Sequence, residues 1–217
     1  MLLYLHGFAS GPSSHKARVL SARFRELGVE LEVPDLTPGE DGFERSSPSS
    51  MLAVARAALA RGKPPHAIIG SSLGGYLAAL LASRDKTVEK LFLMVPAFRL
   101  FERWEARLGP AELERWRREG LETTHFASNR ERRLGWTFFE DARTLPAFPA
   151  VSVPTVCVGA RRDESVPLAD VAEFVARTPT ARLVEVDDVH DLAASLDRVF
   201  AEARGLLAPF TGSRTPG

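Results

Sequence analysis

The hexapeptide Gly70-Ser71-Ser72-Leu73-Gly74-Gly75 stands between the apolar run His66-Ala67-Ile68-Ile69 and the helix-forming Tyr76-Leu77-Ala78-Ala79-Leu80-Leu81-Ala82. A strand that turns sharply into a helix leaves no room for side chains beside the apex, and Gly70 and Gly74 supply that room. Ser72 is the apex of the pattern G-x-S-x-G. Its hydroxyl is presented outward, and the Leu73 N–H at the helix start faces the place where an oxyanion would form. A plain Gly/Ser-rich connection and a phosphate-cradling loop are the competing readings. No lysine follows the glycines as in a P-loop, and their spacing differs from a dinucleotide fingerprint. The pattern also constrains the rest of the chain, because such a turn belongs to a parallel sheet covered by helices.

Other strands of that sheet can be traced. Leu2-Leu3-Tyr4-Leu5 is continuously apolar and exits into the loop His6-Gly7-Phe8-Ala9-Ser10-Gly11-Pro12. A helix from about Ser14 to Leu27 carries Ala17, Leu20, Phe24 and Leu27 on one side and stops at Gly28. Val29 to Val33 alternates and ends at Pro34, which suits an edge strand. After a polar loop, Ser49 or Ser50 can cap a helix bearing Leu52, Ala55 and Leu59. Val88 to Val95, Pro154 to Gly159 and Arg182 to Val186 read as further strands. Helices are marked by Leu168, Val171 and Val175, and by Leu192, Leu196, Val199, Phe200 and Ala203. Six strands alternating with helices predict an α/β fold: a compact, three-layer, doubly wound, mainly parallel sheet. One domain is expected over 1–217, with 97–145 as a helical cap insertion and 209–217 as a flexible tail.

The insertion interrupts the alternation and holds all three tryptophans, Trp104, Trp116 and Trp136, a composition unlike that of a disordered linker. Phe98, Phe101, Trp104 and Leu108 recur at helical spacing. Gly109-Pro110 opens a second helix with Leu113 and Trp116 on its apolar face. Those faces pack on the core, on each other, or over the site as a roof in which Trp104 and Trp116, with Phe8, touch a substrate.

A serine hydroxyl is a weak nucleophile and needs a base, itself oriented by a carboxylate. In doubly wound sheets the site lies at the carboxyl ends of the strands, and the chain order for an elbow serine is Ser, acid, His. Ser72, Asp163 and His190 satisfy that order, each after a different strand. Glu164 and Asp188 compete for the acid, while Asp187, Asp188 and Asp191 could instead cap the final helix. His125, in the insertion, competes for the base. His6 precedes the nucleophile and is read as organising its loop. The Phe8 N–H is the second oxyanion donor, with Ala9 as the alternative.

The 28 basic and 28 acidic residues cancel, so no net field recruits nucleic acid or an anionic membrane. No run is long enough to span a bilayer, and no basic region with a cleavage site opens the chain, so a cytoplasmic protein is expected. Cys157 is the one cysteine and lies in an apolar strand, where a buried thiol is expected. The polar clusters lack metal-ligand spacing, so neither metal nor cofactor is expected.

On Leu3-Tyr4-Leu5-His6-Gly7-Phe8, on Gly70 to Ala78 and on the loops carrying Asp163 and His190, the chain resembles the small α/β-hydrolases of the YqiA/YcfP esterase type. The resemblance covers nearly the whole chain and implies a compact α/β-hydrolase acting on carboxylic esters or acyl thioesters. The combined expectation is a serine esterase for small-molecule esters of short-to-medium acyl chains, working through an acyl-enzyme. A thioesterase, acyltransferase or perhydrolase on the same residues is one alternative, and a non-catalytic binding protein on the same scaffold is another. The insertion departs from that type in being longer and more charged.

Overall fold

The computed structural model describes residues 1–211. Its strands are β1 (Leu2–Leu5), β2 (Leu31–Glu32), β3 (His66–Ser71), β4 (Val88–Met94), β5 (Leu121–His125), β6 (Arg130–Leu134), β7 (Thr155–Ala160) and β8 (Ala181–Val186). Its helices are α1 (His15–Glu26), α2 (Pro48–Arg61), α3 (Leu73–Ala82), α4 (Leu100–Glu119), α5 (Thr137–Ala142), α6 (Leu168–Arg177) and α7 (Leu196–Thr211). Six strands form one sheet in the order β2-β1-β3-β4-β7-β8, with every pairing parallel. Strands β5 and β6 form a separate antiparallel hairpin.

Alternate residues of each strand feed opposite layers, as the period-two geometry of a strand requires. Leu3, Leu5, Ile68, Leu91, Leu93 and Cys157 pack with the buried faces of α2, α3 and α6. Leu2, Tyr4, Ala67, Ile69, Phe92, Met94, Val156 and Val158 pack with α1 and α7. Both faces are covered, which is why β1 and β3 are apolar throughout. Helix α3 is buried on every side from Leu73 to Leu81, so its sequence is apolar all round rather than striped.

The chain runs from β1 to β2 on one side and returns to β3 on the other. The loops leaving β1 and β3 therefore part at a topological switch point, where doubly wound sheets open a crevice at their carboxyl edge. The register sets Leu5 opposite Gly70, so the residues that follow each strand emerge side by side.

Several boundaries differ from the sequence expectation. β2 keeps only two of the five expected residues. Helix α2 is capped by Ser47 rather than Ser49 or Ser50, in a reciprocal bond with the Ser50 hydroxyl, and Pro48 occupies the first helical position, where its fixed φ is already helical. Helix α7 continues to Thr211, into the segment expected to be a tail; the remainder of that expectation, 212–217, lies outside the described residues.

The insertion is not wholly helical. Helix α4 breaks at Gly109 (φ 70°, ψ 172°) before Pro110, as expected, but the β5–β6 hairpin follows it. Leu121-Glu122-Thr123-Thr124-His125 and Arg130-Glu131-Arg132-Arg133-Leu134 have no alternating apolar face, so the periodicity that reveals strands is absent. Tertiary bonds hold the hairpin instead. The Trp116 indole N–H donates to the Leu134 carbonyl at 2.8 Å, and the Gly135 N–H donates to the Glu44 carbonyl at 2.9 Å. Among the described residues no helix is long and apolar enough to cross a membrane.

Candidate active site

Ser72 sits at the end of β3 with φ 54° and ψ −120°, a conformation an L-residue adopts only when its surroundings impose it. Those surroundings are hydrogen bonds. Its N–H donates to the Met94 carbonyl at 2.9 Å, and its carbonyl accepts from Gly75, Tyr76 and Ala97. Glycine is needed on both sides: a Cβ at Gly70 would run into the Gly74 carbonyl, and one at Gly74 into the carbonyls of Leu5 and His6. The Ser72 side chain makes no capping bond to α3, which leaves its hydroxyl for other work. Its neighbours Ser71 and Leu73 are buried, while Ser72 itself is partly exposed. As the first residue of α3, Leu73 has an N–H without an intrahelical acceptor.

The loop after β1 lies against this turn; a Cβ built on Gly7 would be 3.4 Å from the Ser72 Cβ. His6, buried at its base, fixes the loop with both ring nitrogens. The Leu36 N–H donates to Nε2 at 3.1 Å, so Nδ1 carries the proton and donates to the Gly7 carbonyl at 3.0 Å. That carbonyl and the Phe8 N–H belong to one planar peptide and point in opposite directions. Holding the carbonyl therefore aims the N–H. Burial lowers the His6 pKa, against a backbone bond and the Asp35 charge that raise it. Ala9 has φ 51° and is buried.

Asp163 follows β7 and His190 follows β8. The Asp163 side chain is fully buried, with Oδ1 accepting the Ser165 and Val166 N–H groups, both at 2.8 Å. Oδ2 accepts from His190 Nδ1 at 2.7 Å, and the imidazole is 31% exposed. Burial would raise the Asp163 carboxyl, but the bond from His190, the N–H of Val166, the His190 charge and the N–H of Ser165 outweigh it. They hold the group below the ordinary carboxylate range. With Nδ1 donating to a carboxylate, the neutral ring carries its lone pair on Nε2.

The rival residues are engaged elsewhere. Asp188 accepts the N–H groups of Val189 and Ser195, Asp187 pairs with Arg162, and Glu164 is exposed to solvent. His125 ends β5 with Nδ1 against the Ser128 hydroxyl at 2.9 Å and its ring edge-on to Phe43. It belongs to the hairpin turn. Cys157 is buried and its thiol is pushed up by that burial. Among the described residues no group of three or more His, Cys, Asp or Glu could hold a metal ion.

The insertion meets the site at Phe8. Its ring packs edge-on against Trp104 (centroids 5.2 Å) and Phe138 (5.6 Å), and against Phe43 (5.5 Å). Trp104 is partly exposed and leans on Trp116 at 5.2 Å. Trp116 is only 1% exposed, enclosed by Trp104, Trp136, Phe138 and Phe139. Trp116, expected to touch a substrate, thus faces other aromatic rings rather than solvent. Phe43 and Phe138 were not singled out from the sequence; a lone aromatic in the Gly/Pro-rich loop before α2 was the one available signal for Phe43.

A family model described as the uncharacterised protein family UPF0227 matches residues 1–134. The chain belongs to UPF0227. Solved structures extend the likeness over the whole fold. A candidate hydrolase from Agrobacterium vitis aligns with TM-score 0.82 at 22% identity, covering 94% of this chain and 87% of its own. Est1E from Butyrivibrio proteoclasticus, bound to ferulic acid, aligns with TM-score 0.79 at 18% identity over 96% and 88%. An α/β-superfamily protein from Xanthomonas campestris is 29% identical over 94% and 97%, with TM-score 0.61. This UPF0227 chain thus has the α/β-hydrolase fold, and the family match takes in β1, its loop, the elbow and most of the insertion.

Proposed function

We propose that the chain is a serine esterase, cleaving carboxylic esters of short-to-medium acyl chains. The observation that carries the reading is the 2.7 Å bond from His190 to a buried, twice-anchored Asp163, at the strand ends that also present Ser72 on its turn. Hydrolase and esterase neighbours of the same fold support it.

In this reading His190 Nε2 takes the Ser72 hydroxyl proton as the oxygen attacks the ester carbonyl. The N–H groups of Leu73 and Phe8 receive the negative charge that develops on the carbonyl oxygen, and the positive end of α3 favours it. The imidazolium returns its proton to the departing alkoxide, leaving an acyl group on Ser72. Water, deprotonated by the same imidazole, attacks that acyl group, and Ser72 recovers its proton as the carboxylic acid leaves. Asp163 keeps the ring in the Nδ1–H tautomer throughout. Trp104 and Phe8 form the wall along which the acyl chain lies, each added methylene contributing roughly 0.8 kcal/mol until the wall ends.

A fluorophosphonate probe with mass mapping, and a screen of p-nitrophenyl esters from acetate to octanoate, test the reading. Wild type should be labelled on Ser72, and Ser72→Ala should lose labelling and about 10⁴-fold or more in turnover while keeping its melting temperature. Turnover surviving in Ser72→Ala would reject the assignment.

A further inference from the structure

Lys16 lies in the first turn of α1, on the face of the sheet opposite α3, and its ammonium donates to the main-chain carbonyl of His190 at 3.1 Å. The link joins residues 174 positions apart and reaches the residue assigned as the base, yet no step of ester hydrolysis calls for an amine there. The charges of Asp191, Asp163 and Asp188 act on the ammonium through space and favour its charged form. Each carboxylate is already fixed: Asp191 accepts the Ala193 N–H, Asp188 accepts Val189 and Ser195, and Asp163 holds the imidazole. Asp187, in the same loop, is paired with Arg162, whereas the Lys16 ammonium reaches the main chain of His190 itself.

We propose that Lys16 is a positioning residue for His190, clamping its main chain so that the ring stays aligned with Asp163. The inference rests on His190 being the base. With the ammonium gone, the His190 carbonyl loses that donor and the residue is fixed by Asp163 alone. Burial pushes the Lys16 amine down to about 8, against the three carboxylates that raise it. An amine whose folded pKa is depressed opposes folding while it is charged, and the opposition fades as pH rises from about 8 toward its unfolded value. Its ionisation therefore adds nothing to stability at neutral pH, and the bond to His190 is the contribution that the structure leaves for Lys16.

The test compares Lys16→Met and Lys16→Arg with wild type by kcat and KM on p-nitrophenyl butyrate, by the NMR signal of the His190 Nδ1 proton, and by thermal melting. In Lys16→Met kcat should fall about ten-fold at nearly constant KM, and the Nδ1 proton signal should broaden as its bond to Asp163 loosens. The melting temperature should change little, and Lys16→Arg should restore kcat and the signal. An unchanged kcat and proton signal in folded Lys16→Met would overturn the proposal. So would an arginine variant no better than methionine, or a lower melting temperature as the sole change. Should Lys16→Met fail to fold, Lys16→Gln carries the same expectation. The proton signal needs no substrate, so an active Ser72→Ala would reject the catalytic reading while the coupling of Lys16 to His190 is still measured.

Discussion

Asp163→Asn changes one atom and should nearly abolish turnover, for a reason written in the bonds around the carboxylate. Oδ1 accepts two main-chain N–H groups, from Ser165 and Val166, and Oδ2 accepts from His190. An asparagine must place its carbonyl oxygen at one position and its NH₂ at the other. With the oxygen at Oδ1 both main-chain donors stay satisfied, and the NH₂ then faces His190 Nδ1. The ring answers by moving its proton to Nε2, where it can no longer accept one from Ser72. The opposite placement keeps the working tautomer but turns the NH₂ toward the N–H groups of the exposed Ser165 and the buried Val166. At about 1–3 kcal/mol for the buried donor left unsatisfied, it lies roughly 1–3 kcal/mol higher. The productive arrangement is then held to between about one molecule in 5 and one in 150, and the lost negative charge lowers turnover further. The assay is kcat/KM on p-nitrophenyl butyrate at neutral pH, where wild-type Asp163, held below the ordinary carboxylate range, is ionised. A parallel NMR measurement locates the ring proton. A loss under about ten-fold, or a proton still on Nδ1, would refute the reasoning.

Trp104→Ala should shorten or flatten the acyl-length profile with a modest fall in melting temperature, because that ring is partly exposed against Phe8; an unchanged profile would remove it from the pocket wall. Trp116→Ala should cost about 3–5 kcal/mol in urea unfolding, because it empties a sealed site and strands the Leu134 carbonyl. Acid should weaken the fold before its carboxylates titrate. His6, His66 and His125 all have pKa values lowered by burial, so the unfolded chain takes up their protons first. Their contribution is complete above about pH 6.5 and is lost as pH falls below it. Urea midpoints that stay level from pH 7.5 to 5 would contradict that assignment.

What could be read from the sequence was local. The turn at Ser72 is dictated by glycines within two residues of it, and β1, β3, β4 and β7 announce themselves through short apolar runs because both faces of the sheet are covered there, while β8 at the edge carries the exposed Arg182 and Glu185. The hairpin gave no such signal, since β5 and β6 bury little and depend on Trp116 and Glu44, residues distant along the chain. Chain order left Asp163, Glu164 and Asp188 open as the acid. Their contacts differ in a way composition cannot express: one reaches His190, one faces solvent, and one is tied to Val189 and Ser195. The sheltering of Trp116 was equally hidden. Helical spacing gives the apolar face of α4 but not whether that face meets the site or the rest of the insertion.

Phe8 joins the two halves of the candidate site. Its N–H belongs to the peptide that His6 orients through the Gly7 carbonyl, and its ring is clasped by Phe43, Trp104 and Phe138. The residue is thus tethered at its backbone by the sheet and at its side chain by the insertion and the loop before α2. A roof built separately from the oxyanion donors could vary without touching the chemistry. Here a change in the aromatic packing is transmitted to the N–H through a single residue, with Ala9 at φ 51° behind it leaving the loop little slack. In the proposed esterase, acyl-chain selection and transition-state stabilisation would share one structural element, so substitutions in the aromatic cluster should alter kcat together with KM rather than KM alone.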